Sequence, residues 1–254
     1  MNKADRQAAI LGVLDERASA TVQELAAVLD VSGMTVRRDL EEMAARSELV
    51  RVHGGAHRAG GDRPSMLRRE YSHAEKREKH MREKRAVARR AISLIEPDST
   101  VFLGTGTTVE QMACQLPDCH LRIVTNSLAV FSLIEPKPLY ELCVVGGMFR
   151  ARTGALVGPI AEEGIDRLGL DIAFVGANGV CGNDVSTSNM EEGHFQQMAL
   201  DKADARYVVL DASKIGRRDF FNFYELSRLD ALVCDESITD EQRAAVEEYA
   251  DVLL

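Results

Sequence analysis

The sequence predicts an α/β chain in two parts: a small helical module closed by a hairpin, then a larger, mostly parallel sheet covered by helices. Three observations predict it. Within residues 1–58, two short stretches carry apolar residues at helical spacing, and a period-two stretch comes after them. From residue 100 onward, six short β-rich runs alternate with helical patterns, and such alternation implies right-handed crossovers between parallel strands. Between the two parts, residues 59–64 read Ala-Gly-Gly-Asp-Arg-Pro, a linker by composition.

The first helix is expected from about Lys3 to Arg17, burying Ile10, Leu11 and Leu14. Thr21 and Glu24 have the spacing of a capping box, so a second helix starts there. Val22, Leu25, Ala26 and Leu29 share one face of it. Asp30-Val31 leaves room only for a tight turn, and Ser32 is a natural N-cap for a third helix. On that helix Val36, Leu40 and Met43 point inward, while Met34, Thr35, Arg37, Arg38 and Glu41 project to the other side. Val50 and Val52 then alternate with Arg51 and His53, and Gly54-Gly55 is a hairpin turn signal.

This arrangement points to DNA. A short helix with an exposed N-terminus and an arginine pair suits the major groove, where Arg donates two hydrogen bonds to guanine or neutralises phosphate. A basic hairpin behind it acts as a wing on phosphates. The expected DNA contacts are Ser32, Met34, Thr35, Arg37, Arg38, Arg51 and His53. Residues 1–58 carry a net charge of only −1, so affinity must come from local placement and not from a bulk basic field. Residues 59–93 carry +6 and residues 94–254 carry −14, an acidic body joined through a basic connector.

Residues 65–94 are charged and helix-compatible, ending in an apolar face of Val87, Ala88, Ala91 and Ile92. The basic run Lys76 to Arg90 reads as a solvated helix face, with a secondary role near DNA phosphates as the alternative. The β-rich runs are 100–104, 121–125, 140–145, 171–176, 206–211 and 230–235. Among the helices between them, one places Val109, Met112, Ala113 and Leu116 on a single face; two more are expected over 158–168 and 189–203. The expected domains are 1–58, DNA-binding; 59–94, linker and basic helix; and 95–254, a sensor.

The residues at the carboxyl ends of the strands suggest the sensor's chemistry. The runs end in Gly104-Thr105-Gly106-Thr107-Thr108, Thr125-Asn126-Ser127, Gly146-Gly147, Gly176-Ala177-Asn178-Gly179 and Asp211-Ala212-Ser213-Lys214. Open α/β sheets bind ligands at this edge. Glycines there let backbone N–H groups approach an anion, threonine hydroxyls at a helix N-terminus add donors, and Lys214 adds a cation. The set suits a phosphorylated polyol or sugar. Gly104-x-Gly106-x-x-Val109 lacks the third glycine of a dinucleotide fingerprint, and no G-x-x-x-x-G-K-[ST] loop occurs.

The pairing of Ser32-Gly33-Met34-Thr35-Val36-Arg37-Arg38-Asp39-Leu40 with Arg51-Val52-His53-Gly54-Gly55-Ala56 resembles the winged helix-turn-helix of the DeoR family of bacterial sugar-operon regulators. The second half resembles the effector-binding domain of the same family. It does so through Gly106-Thr107-Thr108, Thr125-Asn126-Ser127, Gly146-Gly147 with Arg150, Val157-Gly158-Pro159, Glu191-Glu192, and Ser213-Lys214 with Gly216-Arg217. The resemblance implies a C-terminal fold similar to sugar-phosphate isomerases and CoA transferases. Together with the strand ends, it gives an expected effector site drawing on Gly104, Gly106, Thr107, Thr108, Thr125, Asn126, Ser127, Gly146, Gly147, Arg150, Asn178, Glu191 and Lys214. Two positions depart from the pattern: Gly104 stands where many members carry Asp, and Gln196 where many carry a basic residue. Both bear on which effector fits.

The competing class is an isomerase-like enzyme with an added DNA-binding domain. Isomerisation needs a positioned general base, and Gly176-Ala177-Asn178-Gly179 supplies none; Asp184, Glu191 and Glu192 are the remaining candidates. Glu191-Glu192 opens a helix, where carboxylates are common for dipole reasons. The expectation is a DNA-binding repressor of a sugar-utilisation operon that is controlled by a phosphorylated sugar and has no catalytic residue, metal or cofactor. Its expected partners are double-stranded operator DNA and a second copy of itself, as a dimer or tetramer. No apolar run approaches 18 residues, MNKADRQAAI lacks a signal-peptide core, and the five cysteines include no C-x-x-C pair; a cytoplasmic protein with reduced thiols is expected.

Overall fold

The computed structural model describes residues 3–17, 19–46, 48–52, 55–58 and 73–254. They fall into two compact units that divide between Pro64 and Ser65.

In the first unit, α1 (Lys3–Arg17) leads into a short strand β1 (Ser19–Thr21), then α2 (Val22–Leu29) and α3 (Gly33–Ala45). β2 (Leu49–Val52) and β3 (Gly55–Arg58) pair antiparallel, and β1 joins β3 to give the order β1-β3-β2. The strand Ser19–Thr21 was not expected from sequence; three residues are too few to show a period. The apolar stripes meet as predicted in a core of Ile10, Leu14, Val22, Leu25, Leu29, Val36, Leu40 and Met43, with Leu11 and Ala26 at its margin. Asp30 adopts a left-handed conformation (φ 51°), which lets the chain reverse within the tight turn between α2 and α3.

The second unit opens with α4 (His73–Arg77) and α5 (Met81–Ile92), followed by β4 (Thr100–Leu103), α6 (Thr107–Gln115), β5 (Leu121–Thr125), α7 (Leu128–Ile134) and β6 (Tyr140–Val144). A hairpin β7 (Met148–Arg150) and β8 (Ala155–Val157) leads to α8 (Pro159–Asp166) and β9 (Leu170–Gly176). Next come β10 (Gly179–Cys181), β11 (Asp184–Thr187), α9 (Met190–Lys202), β12 (Ala203–Val209), β13 (Phe221–Glu225), β14 (Ala231–Val233), α10 (Asp240–Glu247) and β15 (Val252–Leu253). Seven strands form one sheet in the order β15-β14-β12-β9-β4-β5-β6, with every neighbouring pair parallel. All six predicted β-rich runs are in it; β15 closes the far edge with two residues, too short for a sequence pattern. The antiparallel β10-β11-β13 sheet and the β7-β8 hairpin are additions the sequence pattern did not reveal.

One apolar core lies on each face of the large sheet. The first gathers Phe102, Ala161, Ile165, Phe195, Ala199 and Leu232; the second gathers Val87, Ala88, Ala91, Val109, Met112, Val130 and Ile134. α5 therefore belongs to the sensor's own core. Three of its small and apolar residues are fully buried, so this body begins well before residue 95. Among the described residues, no helix is long and apolar enough to cross a membrane.

Candidate functional site

The first unit presents α3. Ser32 caps it: its Oγ accepts from the Thr35 amide at 3.2 Å and lies 2.9 Å from Thr35 Oγ1. The back of the helix is clamped. Buried Asp39 accepts from Arg6 Nε at 2.5 Å and from Arg6 Nη2 at 3.2 Å, and Glu42 pairs with Lys3. The front is open. Met34 is 76% exposed, and the Arg38 side chain is 85% exposed, with its Nε no closer than 4.0 Å to Glu42. Arg37 is exposed and has no ion-pair or hydrogen-bond partner among the described residues. An anchored back and two exposed cations in front are what docking into a phosphate-lined groove requires.

The second unit presents a cleft, placed by topology. The chain runs β4 to β5 to β6 toward one edge, returns to lay β9 beside β4, and continues through β12, β14 and β15 to the other edge. The strand order thus reverses between β4 and β9, the switch point at which open α/β sheets bind ligands. A cleft of about 60 Å³ lies there, against the roughly 10–15 Å³ that one water needs. Thr105–Thr108 line it after β4, Gly176–Asn178 after β9, and Asp211 and Lys214 after β12. His73 and Lys76 reach it from α4, Lys84 from α5, Glu192 and Gln196 from α9.

The walls are built for an anion. Gly106 precedes α6 with φ 129°, a conformation that side-chain-bearing residues rarely adopt, and no side chain caps the helix behind it. The first amides of α6 and the hydroxyls of Thr107 and Thr108 therefore face the cleft with the positive end of the helix dipole. Three ammonium groups share the space. Burial pulls Lys214 down to about 8; Asp211 opposes this, while Lys76, Lys84 and Arg217 add to it. Burial likewise lowers Lys84, whose Nζ donates to the carbonyls of Lys76 and Lys79 at 2.6 Å each. Lys76 Nζ donates to Asn178 Oδ1 at 2.9 Å. Three cations thus converge on one carboxylate, Asp211, an excess of positive charge that an anion entering the cleft would offset.

Family models match both halves of the chain. Residues 6–60 match a DeoR-like helix-turn-helix domain, and residues 79–236 match the DeoR C terminal sensor domain. The chain belongs to the DeoR family. The lactose phosphotransferase system repressor of Streptococcus mutans is 36% identical over 255 residues, covering 100% of both chains. The Lactococcus lactis protein of the same name is 37% identical over 256 residues, covering 100% of this chain and 99% of that one. Among solved structures, the full-length sorbitol operon regulator SorC from Klebsiella pneumoniae covers 97% of this chain and 99% of its own, at 11% identity and a TM-score of 0.38. Ribose 5-phosphate isomerase A from Methanocaldococcus jannaschii covers 52% of each chain, at 19% identity and a TM-score of 0.39.

Within this DeoR-family sensor, the residues expected at the effector site divide. Gly106, Thr107, Thr108, Asn178 and Lys214 meet at the cleft. Gly104 stops short of it: its amide donates to Phe174 O at 3.0 Å, and a Cβ there would press on Phe102 and the Phe174 carbonyl. Thr125 ends β5 and Asn126 and Ser127 follow it, on the side of β4 away from the switch point, and none of the three lines the cleft. Thr125 Oγ1 donates to Leu103 O at 2.6 Å, Asn126 Nδ2 donates to Leu156 O at 3.0 Å while its Oδ1 is buried without a hydrogen-bond partner among the described residues, and Ser127 Oγ caps α7 by accepting from Val130 N at 3.3 Å. Gly146 and Gly147 come after the edge strand β6; a Cβ on Gly147 would lie 2.7 Å from Val157 O, so that glycine is required by packing. Arg150 does not line the cleft but pairs at 3.1 Å with Glu192, which does. Glu191 is exposed and Glu192 lines the cleft, because one step along a helix turns a side chain by about 100°. On the DNA side, His53 lies outside the described residues, as does the side chain of Arg51, whose backbone sits in β2.

Sequence reasoning misses His73, Lys76 and Lys84 as lining residues, and of the α9 positions that the family resemblance touches it places neither Glu192 nor Gln196 in the site. For Lys84 a signal existed. Residues 84, 87, 88 and 91 share one helix face, so this lysine sits on the apolar stripe and not on the solvated one.

Proposed function

We propose that this DeoR-family protein is a sequence-specific DNA-binding repressor of a sugar-utilisation operon, and that a phosphorylated sugar bound between β4 and β9 controls it. The observation that carries the reading is the gathering of Lys76, Lys84 and Lys214 around the uncapped N-terminus of α6 at the switch point. A phosphate monoester brings about −1.5 to −2 charges and three acceptor oxygens, which match those donors. The names of these relatives, repressors of a lactose phosphotransferase system, agree with a sugar operon.

Binding without conversion fits the cleft better than isomerisation. The carboxylates and imidazole that line the cleft are engaged: Glu192 with Arg150 and Thr153, Asp211 with Ser213, and His73 with Glu110. Asp184 faces Arg218 at 3.8 Å, away from the lining residues. The protein acts in the cytoplasm as a dimer or tetramer, since two DNA readers on one axis turn modest affinity into operator affinity. The reading is tested by a thermal-shift screen of sugar phosphates, in which a ligand at 100 times its Kd adds about 2.7 kcal/mol. It fails if no sugar phosphate stabilises the protein, or if NMR shows the bound sugar converted to product.

A further inference from the structure

We propose that Gln196 is a specificity residue that accepts a hydrogen bond from one hydroxyl of the bound sugar. This rests on the phosphosugar reading and adds to it which part of the ligand is read, and by what. Gln196 lines the cleft from α9 and is only 4% exposed. Its Nε2 donates to Gly176 O at 3.3 Å, while its Oε1 is buried without a hydrogen-bond partner among the described residues. Exchanging the two amide atoms would set oxygen against the Gly176 carbonyl, so the acceptor is the atom left over. Buried acceptors are rarely left unpaired, and the cost is relieved when a donor arrives.

That donor is not the phosphate. A phosphate dianion has only acceptor oxygens, and those match the lysines and the α6 amides. Oε1 therefore addresses the other end of the ligand, where sugars carry O–H groups. The geometry around Gln196 is held firm. Gly193, one turn earlier on α9, packs so closely on β13 that a Cβ there would lie 2.6 Å from the Phe221 ring. Gly176, on the other side of the amide, sits so close to Thr105 O that its own Cβ would lie 3.3 Å away. An acceptor held at a fixed point discriminates among hydroxyl positions, because an analogue lacking the matching hydroxyl leaves it unpaired.

The test is calorimetric titration of the full-length protein and Gln196→Met with inorganic phosphate, glucose 6-phosphate, galactose 6-phosphate and ribose 5-phosphate. Expected is equal affinity of the two proteins for inorganic phosphate, and a loss of about tenfold in Gln196→Met for the sugar phosphate that binds wild type best. Single-deoxy analogues of that sugar give a second readout in wild type, where folding of the variant is not at issue. One analogue should bind about tenfold more weakly than its parent, and to wild type and Gln196→Met equally. Unchanged sugar-phosphate affinity in Gln196→Met overturns the proposal, as does a full set of deoxy analogues that bind wild type like their parent. In both cases the anion site stands if inorganic phosphate binds. Wild type that binds neither phosphate nor any sugar phosphate overturns the phosphosugar reading, and this inference with it.

Discussion

The DNA-reading helix and the effector cleft handle positive charge in opposite ways. Arg37 and Arg38 stand in water on the open face of α3, with their helix anchored from behind through Asp39. Lys84 is buried and Lys214 is pulled down to about 8, each withdrawn from water beside other cations. The difference stems from the partner. DNA offers a long array of phosphates, and exposed guanidinium groups with reach suffice because each contact adds a little. A single small anion must be recognised by few contacts, so each is made stronger by a low-dielectric setting. The first region stores no electrostatic cost and is always ready. The second stores a cost that a bound anion would remove, and on the proposed function that difference is what would let a ligand shift the protein's state.

The sharpest way to break this comparison is to remove the desolvated charge. Lys214→Ala should weaken sugar-phosphate binding tenfold to a hundredfold, since a charge-assisted contact contributes about 1.5–3 kcal/mol, and should leave operator binding of the effector-free protein intact. Calorimetry and a gel-shift titration check the two halves of that statement. On the exposed side, Arg37→Ala or Arg38→Ala should cost roughly 1–3 kcal/mol of operator affinity if the contact is to a base. Fluorescence anisotropy with operator DNA reads this, and wild-type affinity in both variants would show that α3 is not the reader.

A pH series sharpens the contrast. With Lys214 at about 8, its protonated form supports anion binding below that pH and is lost above it. Sugar-phosphate affinity should therefore fall by roughly tenfold between about pH 7.5 and 9.5, where the phosphate itself, with its second pKa near 6, no longer titrates. Lys214→Arg should flatten the profile, because guanidinium stays charged throughout. Operator affinity should lack this inflection. The smallest effect is expected at the wing: Arg51→Ala should weaken specific and nonspecific DNA alike and reduce the salt slope by about one unit. A loss confined to one operator position would contradict a phosphate contact.

The two regions differ again in how far the sequence alone reveals them. The DNA-reading unit is closed by contacts within 58 residues, so Val36, Leu40 and Met43 at helical spacing, with Ser32 before them, already state the faces of α3. The cleft joins His73 to Lys214 across the whole sensor, and which strand ends meet depends on strand order. Small-residue strand ends look alike in sequence. Those after β4, β9 and β12 converge, whereas Thr125-Asn126-Ser127 and Gly146-Gly147 lie at strand ends beyond the switch point, where Ser127 caps α7 and Gly147 is fixed by packing. Glu192 is one helical step from the expected Glu191, a distinction set by the Asn189 cap, which fixes where α9 begins.

On the proposed function, a ligand in the cleft between β4 and β9 controls DNA reading by α3. The most direct measurement is operator binding by full-length wild type and Lys214→Ala, titrated with the sugar phosphate that most stabilises wild type. Control by the cleft predicts equal operator affinity without ligand, a marked change in wild type as the sugar phosphate is added, and little or no change in Lys214→Ala over the same range. Equal responses in the two proteins, or a wild-type affinity indifferent to a ligand that calorimetry shows to be bound, would contradict it.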